Sequence, residues 1–378
     1  MFIFFLLAMA GMFATNKKND ETTYKILFII LLGMLCLRYG QGTDYIGYQL
    51  HYSLCPSELN SSYFSANGTF EKGYRFLMNV CKSIGFSFEL FVALISIFEM
   101  LMLNRFIKKY CGHKCIALLL FFPSFYLTYY FSALRQGIAL SIFIGLGVPL
   151  IMDKKWLKYI ILTFVVASIH KSAYVMLLIP LLINIKPKSL LIIAVIMLGA
   201  AIVLNAVGIY SSIANLLDKA AYENSGIGWS AIVRKAVEFV LVIILYKDRP
   251  DNDDFLNIIL KIYYIGIIVA MFFYNNALIL GRLTIYFDVM LIALVSTAIN
   301  NVALPNIAVH RLSSHALWTY TIAVILLTGF MTIRNIDSYV SQGRYYNENF
   351  LRYPYISIFE KEDLYSYRTS NYKDLIDN

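Results

Sequence analysis

The chain has 378 residues, 59% of them hydrophobic and only 15% charged, with a mean hydropathy of +0.66, and no soluble surface is built from such a composition. Its net charge of +9 would suggest nucleic acid for a soluble protein. In a membrane protein the same excess belongs on cytoplasmic loops and near anionic lipid, so nucleic-acid binding is disfavoured.

Apolar runs that read as helices fall at 1–14, 24–37, 86–103, 115–131, 134–152, 157–169, 172–185, 189–208, 231–246, 255–273, 277–297 and 316–333. They predict an all-α polytopic integral membrane protein of about 11–12 transmembrane helices, each needing about 18 to 20 residues. Residues 1–333 then form one transmembrane domain, interrupted by a long outer loop near residues 38–85 and followed by an extramembrane tail, 334–378. The first run ends in Ala8-Met9-Ala10, which resembles a signal-peptidase site. No positive segment precedes it and Lys17-Lys18 follow, so it reads as a retained helix with its N-terminus outside.

That orientation places Lys17, Lys18, Lys25, Arg105, Lys108, Lys109, Lys114, Lys154, Lys155 and Lys158 in short connections on one side, the cytoplasmic pattern. The stretch 157–185 is either one long tilted helix or two short helices broken at His170-Lys171-Ser172. The broken pair is preferred because it also puts Lys186, Lys188, Lys247 and Arg249 inside, and the tail outside. That tail carries six basic residues, seven acidic ones and eight of the 29 tyrosines, a composition suited to packing on the outer face. Of five cysteines, only Cys55 and Cys81 share a segment in which a disulfide is plausible, given an oxidising compartment.

Chemistry concentrates at the expected outer ends of the helices. Arg38-Tyr-Gly-Gln-Gly-Thr-Asp44-Tyr45-Ile-Gly-Tyr48 follows the second run, and its glycines permit a tight backbone. The same residues suit a helix C-cap and turn with a solvated aspartate and interfacial tyrosines. Glu71-Lys-Gly73-Tyr74-Arg75 precedes the third run, where the acid is placed equally well for catalysis or for an ion pair with Arg38 or Arg75.

Arg135-Gln136 lies between two apolar runs that nearly touch. An arginine there needs a partner, water or an anionic ligand, and its planar guanidinium suits a phosphate or diphosphate; snorkelling to lipid headgroups is the alternative. His170-Lys171 and Arg282, with Tyr286 one turn on, interrupt further apolar stretches. In the preferred topology Arg38, Asp44, Glu71, Arg135 and His170 all reach the outer side, and Arg282, about five residues into the span that starts there, points to the same face. They outline a polar cavity in which cations hold a lipid diphosphate as leaving group while Asp44 or Glu71 deprotonates an acceptor hydroxyl, with His170 orienting or handling a proton. No Walker loop, HExxH, CxxC pair or G-x-S-x-G elbow occurs, so a metal-independent mechanism without a cofactor is the simpler expectation.

An ordered set of motifs resembles the EpsG family of bacterial exopolysaccharide proteins, which are Wzy-like polymerases. It comprises Arg38-Tyr-Gly with Gly42-Thr-Asp44-Tyr45 and Tyr48, Glu71-x-Gly73-Tyr74, Leu134-Arg135-Gln136 with Ala139, Ser168-Ile-His170-Lys171-Ser172-Ala173, Arg282 with Tyr286-Phe287, and Tyr353-Pro354-Tyr355. The resemblance implies a multi-pass protein of the bacterial inner membrane whose outward-facing site joins oligosaccharide repeat units carried on undecaprenyl diphosphate. It also implies a chain-length regulator and a flippase of the same pathway as partners. Asp44, Glu71 and His170 are then the catalytic candidates. Arg38, Tyr45, Tyr48, Tyr74, Arg75, Arg135, Gln136, Lys171, Arg282 and Tyr286 are the substrate-binding candidates.

Three rival readings use the same residues. A lipid-linked oligosaccharide flippase needs a cationic cavity reachable from both faces. A membrane-bound O-acyltransferase relies on an intramembrane histidine, for which His170 is the nominee. A non-catalytic assembly subunit would use the outer polar groups only as structural ion pairs.

Overall fold

A computed structural model describes residues 17–210 apart from 41, 43 and 67, together with 212, 229–246, 254–303 and 357–359. The apolar runs 1–14 and 316–333 and most of the tail lie outside these residues. Within them the chain is helical, with no strand.

Helix α1 (Lys17–Cys36) starts the bundle. Its Asp20 carboxylate accepts hydrogen bonds from the amides of Lys114 and Cys115, both at 3.0 Å. That latch ties the start of α1 to the start of a later helix, satisfying N–H groups that a helix leaves unpaired.

The segment expected as a loop near 38–85 is largely helical: α2 (Tyr45–Ser53), α3 (Ser61–Ser65) and α4 (Lys72–Ser83) build a small cap. Aromatic packing is the reason. Tyr45 meets Phe88 at 5.1 Å between ring centroids, Tyr52 stacks on Phe91 at 5.0 Å and Tyr48 meets Tyr74 at 5.7 Å. Each buried ring contributes on the order of 2–3 kcal/mol, and the polar residues that make the stretch read as loop are spent on tying turns. Asn79, fully buried, donates to the carbonyls of Pro56 (3.1 Å) and Glu58 (2.9 Å) and accepts from the Asn60 amide (2.8 Å). Cys55 and Cys81 are free thiols.

Helices α5 (Phe88–Tyr110), α6 (Lys114–Tyr130) and α7 (Leu134–Met152) form the centre, with α1 packed on α5 and α6. The second half of α6, Phe122–Tyr130, and the stretch Phe143–Gly147 of α7 wind more widely than an α-helix. Next come α8 (Trp156–Ile169) and α9 (Lys171–Leu182), whose first seven residues form tighter 3₁₀ turns. The Tyr159 hydroxyl donates to the Met176 carbonyl at 3.0 Å, a contact that two helices in line could not make across 17 residues. The broken pair expected at His170 is therefore what the chain forms.

Beyond it lie α10 (Pro187–Ala206), α11 (Trp229–Tyr246), α12 (Asp254–Phe272), α13 (Ala277–Asp288) and α14 (Met290–Ala303). α12 packs against α10, α13 and α14, while α14 returns to α6. α10 leaves Ile192, Val195 and Ile196 exposed, an apolar face for lipid. Among the described residues four helices, α5, α7, α10 and α12, are long and apolar enough to cross a membrane; α13 and α14, bent by 47°, make a fifth as a pair. α6, α8 and α9 are apolar but shorter, because breaks at the polar residues shorten them. Ser357, Ile358 and Phe359 are the described part of the tail. Ser357 forms a β-bridge with Arg38, and the Ile358 amide donates to the Leu37 carbonyl at 2.9 Å, so the chain returns to the end of α1.

Candidate active site

A cavity of about 640 Å³ lies between the cap and the ends of α7, α9 and α13. Asp44, Tyr48, Glu71, Arg135, Gln136, His170, Lys171 and Arg282 line it, eight of the thirteen residues the sequence nominated. They come from segments more than 200 residues apart, and close backbone approach brings them together.

Gly73 is one agent of that approach. A Cβ there would fall 2.3 Å from Ser168 Oγ and 2.7 Å from its carbonyl oxygen. Only glycine lets the first turn of α4 touch the last turn of α8, and this contact sets Glu71 beside His170. Gly42 is the other. It has φ +104°, and a Cβ there would lie 2.4 Å from the Phe131 carbonyl oxygen. The loop carrying Asp44 is thereby pressed onto the break that precedes Arg135. The Gly42-Thr-Asp44 and Glu71-x-Gly73 motifs are thus statements about packing as much as about charge.

Glu71 is the hub. Its Oε2 accepts from Arg135 Nη1 at 2.5 Å, and its Oε1 meets His170 Nδ1 at 3.1 Å and the Lys171 amide at 3.1 Å. Burial raises its carboxyl, but the His170 hydrogen bond, the Arg135 charge and the Lys171 amide outweigh it and hold the pKa at about 2. Burial pushes the His170 imidazole below its usual range, although the hydrogen bond to Glu71 pulls the other way. A neutral His170 with its proton on Nδ1 donates to Glu71 and leaves Nε2 as the acceptor.

Arg135 also donates from Nε to the Tyr48 hydroxyl at 3.4 Å and lies 4.4 Å from the centroid of the Phe70 ring. The aromatic face and the carboxylate together fix the guanidinium plane. Gln136 donates to the Arg282 carbonyl at 2.8 Å and the Tyr129 hydroxyl to that of Gly281 at 3.3 Å, so α13 is clamped where Arg282 enters the cavity.

The lining carries an excess of one positive charge, with Arg135, Lys171 and Arg282 against Asp44 and Glu71. Helix ends add to it. Asp44 immediately precedes α2, Glu71 α4, Ala133 α7 and His170 α9, while Leu278 is the second residue of α13. Five N-termini therefore converge on one cavity, each with partial positive charge.

The other five nominated residues stand outside the lining. Arg38 is 1% exposed, donates to the Leu35 carbonyl (3.1 Å) and Ser96 Oγ (3.4 Å), and sits 5.0 Å from the Phe131 ring centroid. It lies within electrostatic reach of Glu99, a fully buried carboxyl on α5 that the sequence reading did not single out. Arg75 ties the cap together through the carbonyls of Tyr63 (2.8 Å) and Ala66. Tyr45 and Tyr74 are buried in the aromatic packing of the cap. Tyr286 lies behind the cavity with its hydroxyl 3.0 Å from Ser172 Oγ. All five are walls rather than lining, because packing used their polar atoms or rings first.

Phe70 and Ala133 line the cavity without having been nominated, since an apolar residue in a hydrophobic chain carries no signal of its own. Phe70 was findable only as the aromatic neighbour of Glu71. Among the described residues no group of three His, Cys, Asp or Glu side chains is arranged to hold a metal ion.

A family model described as the EpsG family matches residues 21–357 of the chain. No curated protein and no solved structure matches it.

Proposed function

The chain belongs to the EpsG family, and we propose that it is a glycosyl-transferring polymerase of surface-polysaccharide synthesis. In this reading it joins oligosaccharide units carried on undecaprenyl diphosphate at the outer leaflet of the bacterial inner membrane. The observation that carries the proposal is one cavity holding both an anion-binding field and a paired acid and histidine. Arg135, Lys171, Arg282 and five helix N-termini supply the field, with Glu71 and His170 at its edge.

The diphosphate of the donor lies against Arg135 and Arg282, whose charges grow more favourable as the leaving group gains negative charge. The acceptor hydroxyl donates its hydrogen bond to His170 Nε2. Its oxygen attacks the anomeric carbon, the bond from that carbon to the phosphate oxygen breaks, and undecaprenyl diphosphate leaves with the electron pair. His170 takes the hydroxyl proton, and Glu71 stabilises the imidazolium that results.

Glu71 is a poor base because its two oxygens already hold three partners and its pKa is about 2. This moves it from base to orienting group and makes His170 the base preferred over Asp44. Asp44, exposed on the cavity rim, is left to bind sugar hydroxyls. The cap, with Phe70 and Tyr48 facing inward, offers aromatic surface to a sugar ring.

The test is made in cells that depend on the chain for polymer. Arg135→Ala and His170→Ala should each abolish polymer while the protein accumulates in the membrane at its normal level. Normal polymer from either variant contradicts the assignment. Polymer that persists but loses its acyl groups with His170→Ala, and keeps them with Arg135→Ala, would favour acyl transfer.

A further inference from the structure

A second cavity, of about 390 Å³, lies at the far ends of the segments that begin at the candidate active site. α7 starts beside Arg135 and ends at Met152 after 19 residues, a rise of about 28 Å. α9 starts at Lys171 and ends just before Ile183 and Asn184. Met152, Ile183 and Asn184 line the second cavity, which therefore opens on the opposite face of the bundle.

Its walls are built for a small polar group with both an anionic centre and hydrogen-bond donors. Lys154 and Lys261 bring ammonium groups, and Asp254 brings a carboxylate, an excess of one positive charge. Lys261 is held in place by donating to the Ile183 carbonyl at 3.0 Å. Lys154 stands in the left-handed region at φ +55°, in the tight turn between α7 and α8. A lysine rarely adopts that backbone, and here it sets the side chain on the rim of the cavity.

Asn257 carries the decisive atom. Its Oδ1 is buried and accepts no hydrogen bond among the described residues. Buried acceptors are nearly always paired, and Asn257 lines the cavity, so rotation of its amide offers this oxygen to a donor on whatever fills the space.

The cavity also has an interfacial setting. Trp156 is among its lining residues, and an indole is favoured at the level of lipid headgroups. Leu157 and Leu181, next to or near lining residues in the chain, are 73% and 70% exposed. They give acyl chains an apolar surface beside a polar pocket.

We propose that this cavity holds a phospholipid headgroup: a phosphodiester paired with Lys154 and Lys261, whose terminal hydroxyl or ammonium group donates to Asn257 Oδ1 and Asp254. The single excess positive charge matches a singly anionic headgroup best, which ranks phosphatidylglycerol ahead of phosphatidylethanolamine. Phosphatidylcholine has the same phosphate but no donor, and it is the natural control. The site is independent of the reaction assigned to the first cavity.

The test is native mass spectrometry of the purified full-length protein, with each of the three lipids added in turn. Phosphatidylglycerol should be retained best, phosphatidylethanolamine next, and phosphatidylcholine about tenfold less than the first. Asn257→Leu removes only the acceptor, and it should bring retention of the three lipids to within about twofold of one another. Lys154→Ala, on an exposed turn where folding is not at stake, should weaken phosphatidylglycerol about fivefold or more. Equal retention of all three lipids by the unaltered protein overturns the proposal. So does discrimination that survives Asn257→Leu, or phosphatidylglycerol retention unchanged by Lys154→Ala.

Discussion

Glu71 binds Arg135, His170 and the Lys171 amide with two oxygens, so its charge is shared between the cation that would hold substrate and the histidine that would take a proton. Removing the charge while keeping the shape separates these roles. In Glu71→Gln the negative charge that stabilises the imidazolium is gone, so His170 gives up its proton at lower pH. A general base works in its deprotonated form, hence the acid limb of the activity profile should move to lower pH, by about 1 unit, while the maximum rate falls. In the unaltered protein burial already places that limb below the ordinary histidine value. Turnover of the reconstituted protein between pH 4.5 and 8 checks both statements, and a limb that moves upward contradicts them. Arg135→Lys leaves one compact ammonium in place of a fork that spans Glu71 and Tyr48. Turnover should fall roughly 10- to 100-fold with folding unchanged.

The same residues mark how far a sequence reading reaches. Asp44, Glu71, Arg135, His170, Lys171 and Arg282 were legible because ionisable groups at the edges of apolar runs are costly without a task. Arg38, Arg75, Tyr45, Tyr74 and Tyr286 carry the same signature and form walls instead. Residue type and spacing do not distinguish a group that faces a cavity from one that braces it, since only the partners decide that.

Among the helices, the positions of the runs were legible and their internal breaks mostly were not. Hydropathy finds α5, α7, α10 and α12, but it passes smoothly over the wide turns of α6 and α7. The exception is the hairpin of α8 and α9, where three polar residues in an apolar stretch announced the break. The helices inside the loop near 38–85 were not legible because its apolar content is aromatic and scattered, and becomes a core only when α2, α4 and the start of α5 are stacked. That stacking depends on glycine at one contact above all. Gly73→Ala should push α4 off α8, lower the thermal stability in detergent by about 1–3 kcal/mol and cost more activity than stability, because it parts Glu71 from His170. Unchanged melting and activity would contradict the packing argument.

For the whole molecule, the two cavities lie at opposite ends of α7, so the chain has two chemically distinct faces. From the placement of positive charge in the sequence we propose that the face of Lys154 is cytoplasmic and that of Asp44 and Glu71 is outside. Single cysteines placed at Glu58 and Lys155, in a chain with its five native cysteines replaced, should react with a membrane-impermeant maleimide only at Glu58 in intact cells. Labelling at Lys155 alone would invert the orientation and put the candidate active site on the wrong side for an outer-leaflet reaction. The proposed role of Arg135 and Arg282 in offsetting the leaving-group charge further predicts that activity survives an excess of EDTA.

We propose that this one chain joins lipid-linked units through the cavity that Glu71, Arg135 and His170 line. Its most direct test is the purified protein in liposomes with its lipid-linked repeat unit and no nucleotide sugar, the glycans then separated on a gel. A ladder of multiples is expected from the unaltered protein and the single unit alone from His170→Ala of equal folding. Only the single unit from folded, unaltered protein, given the correct substrate, would contradict it.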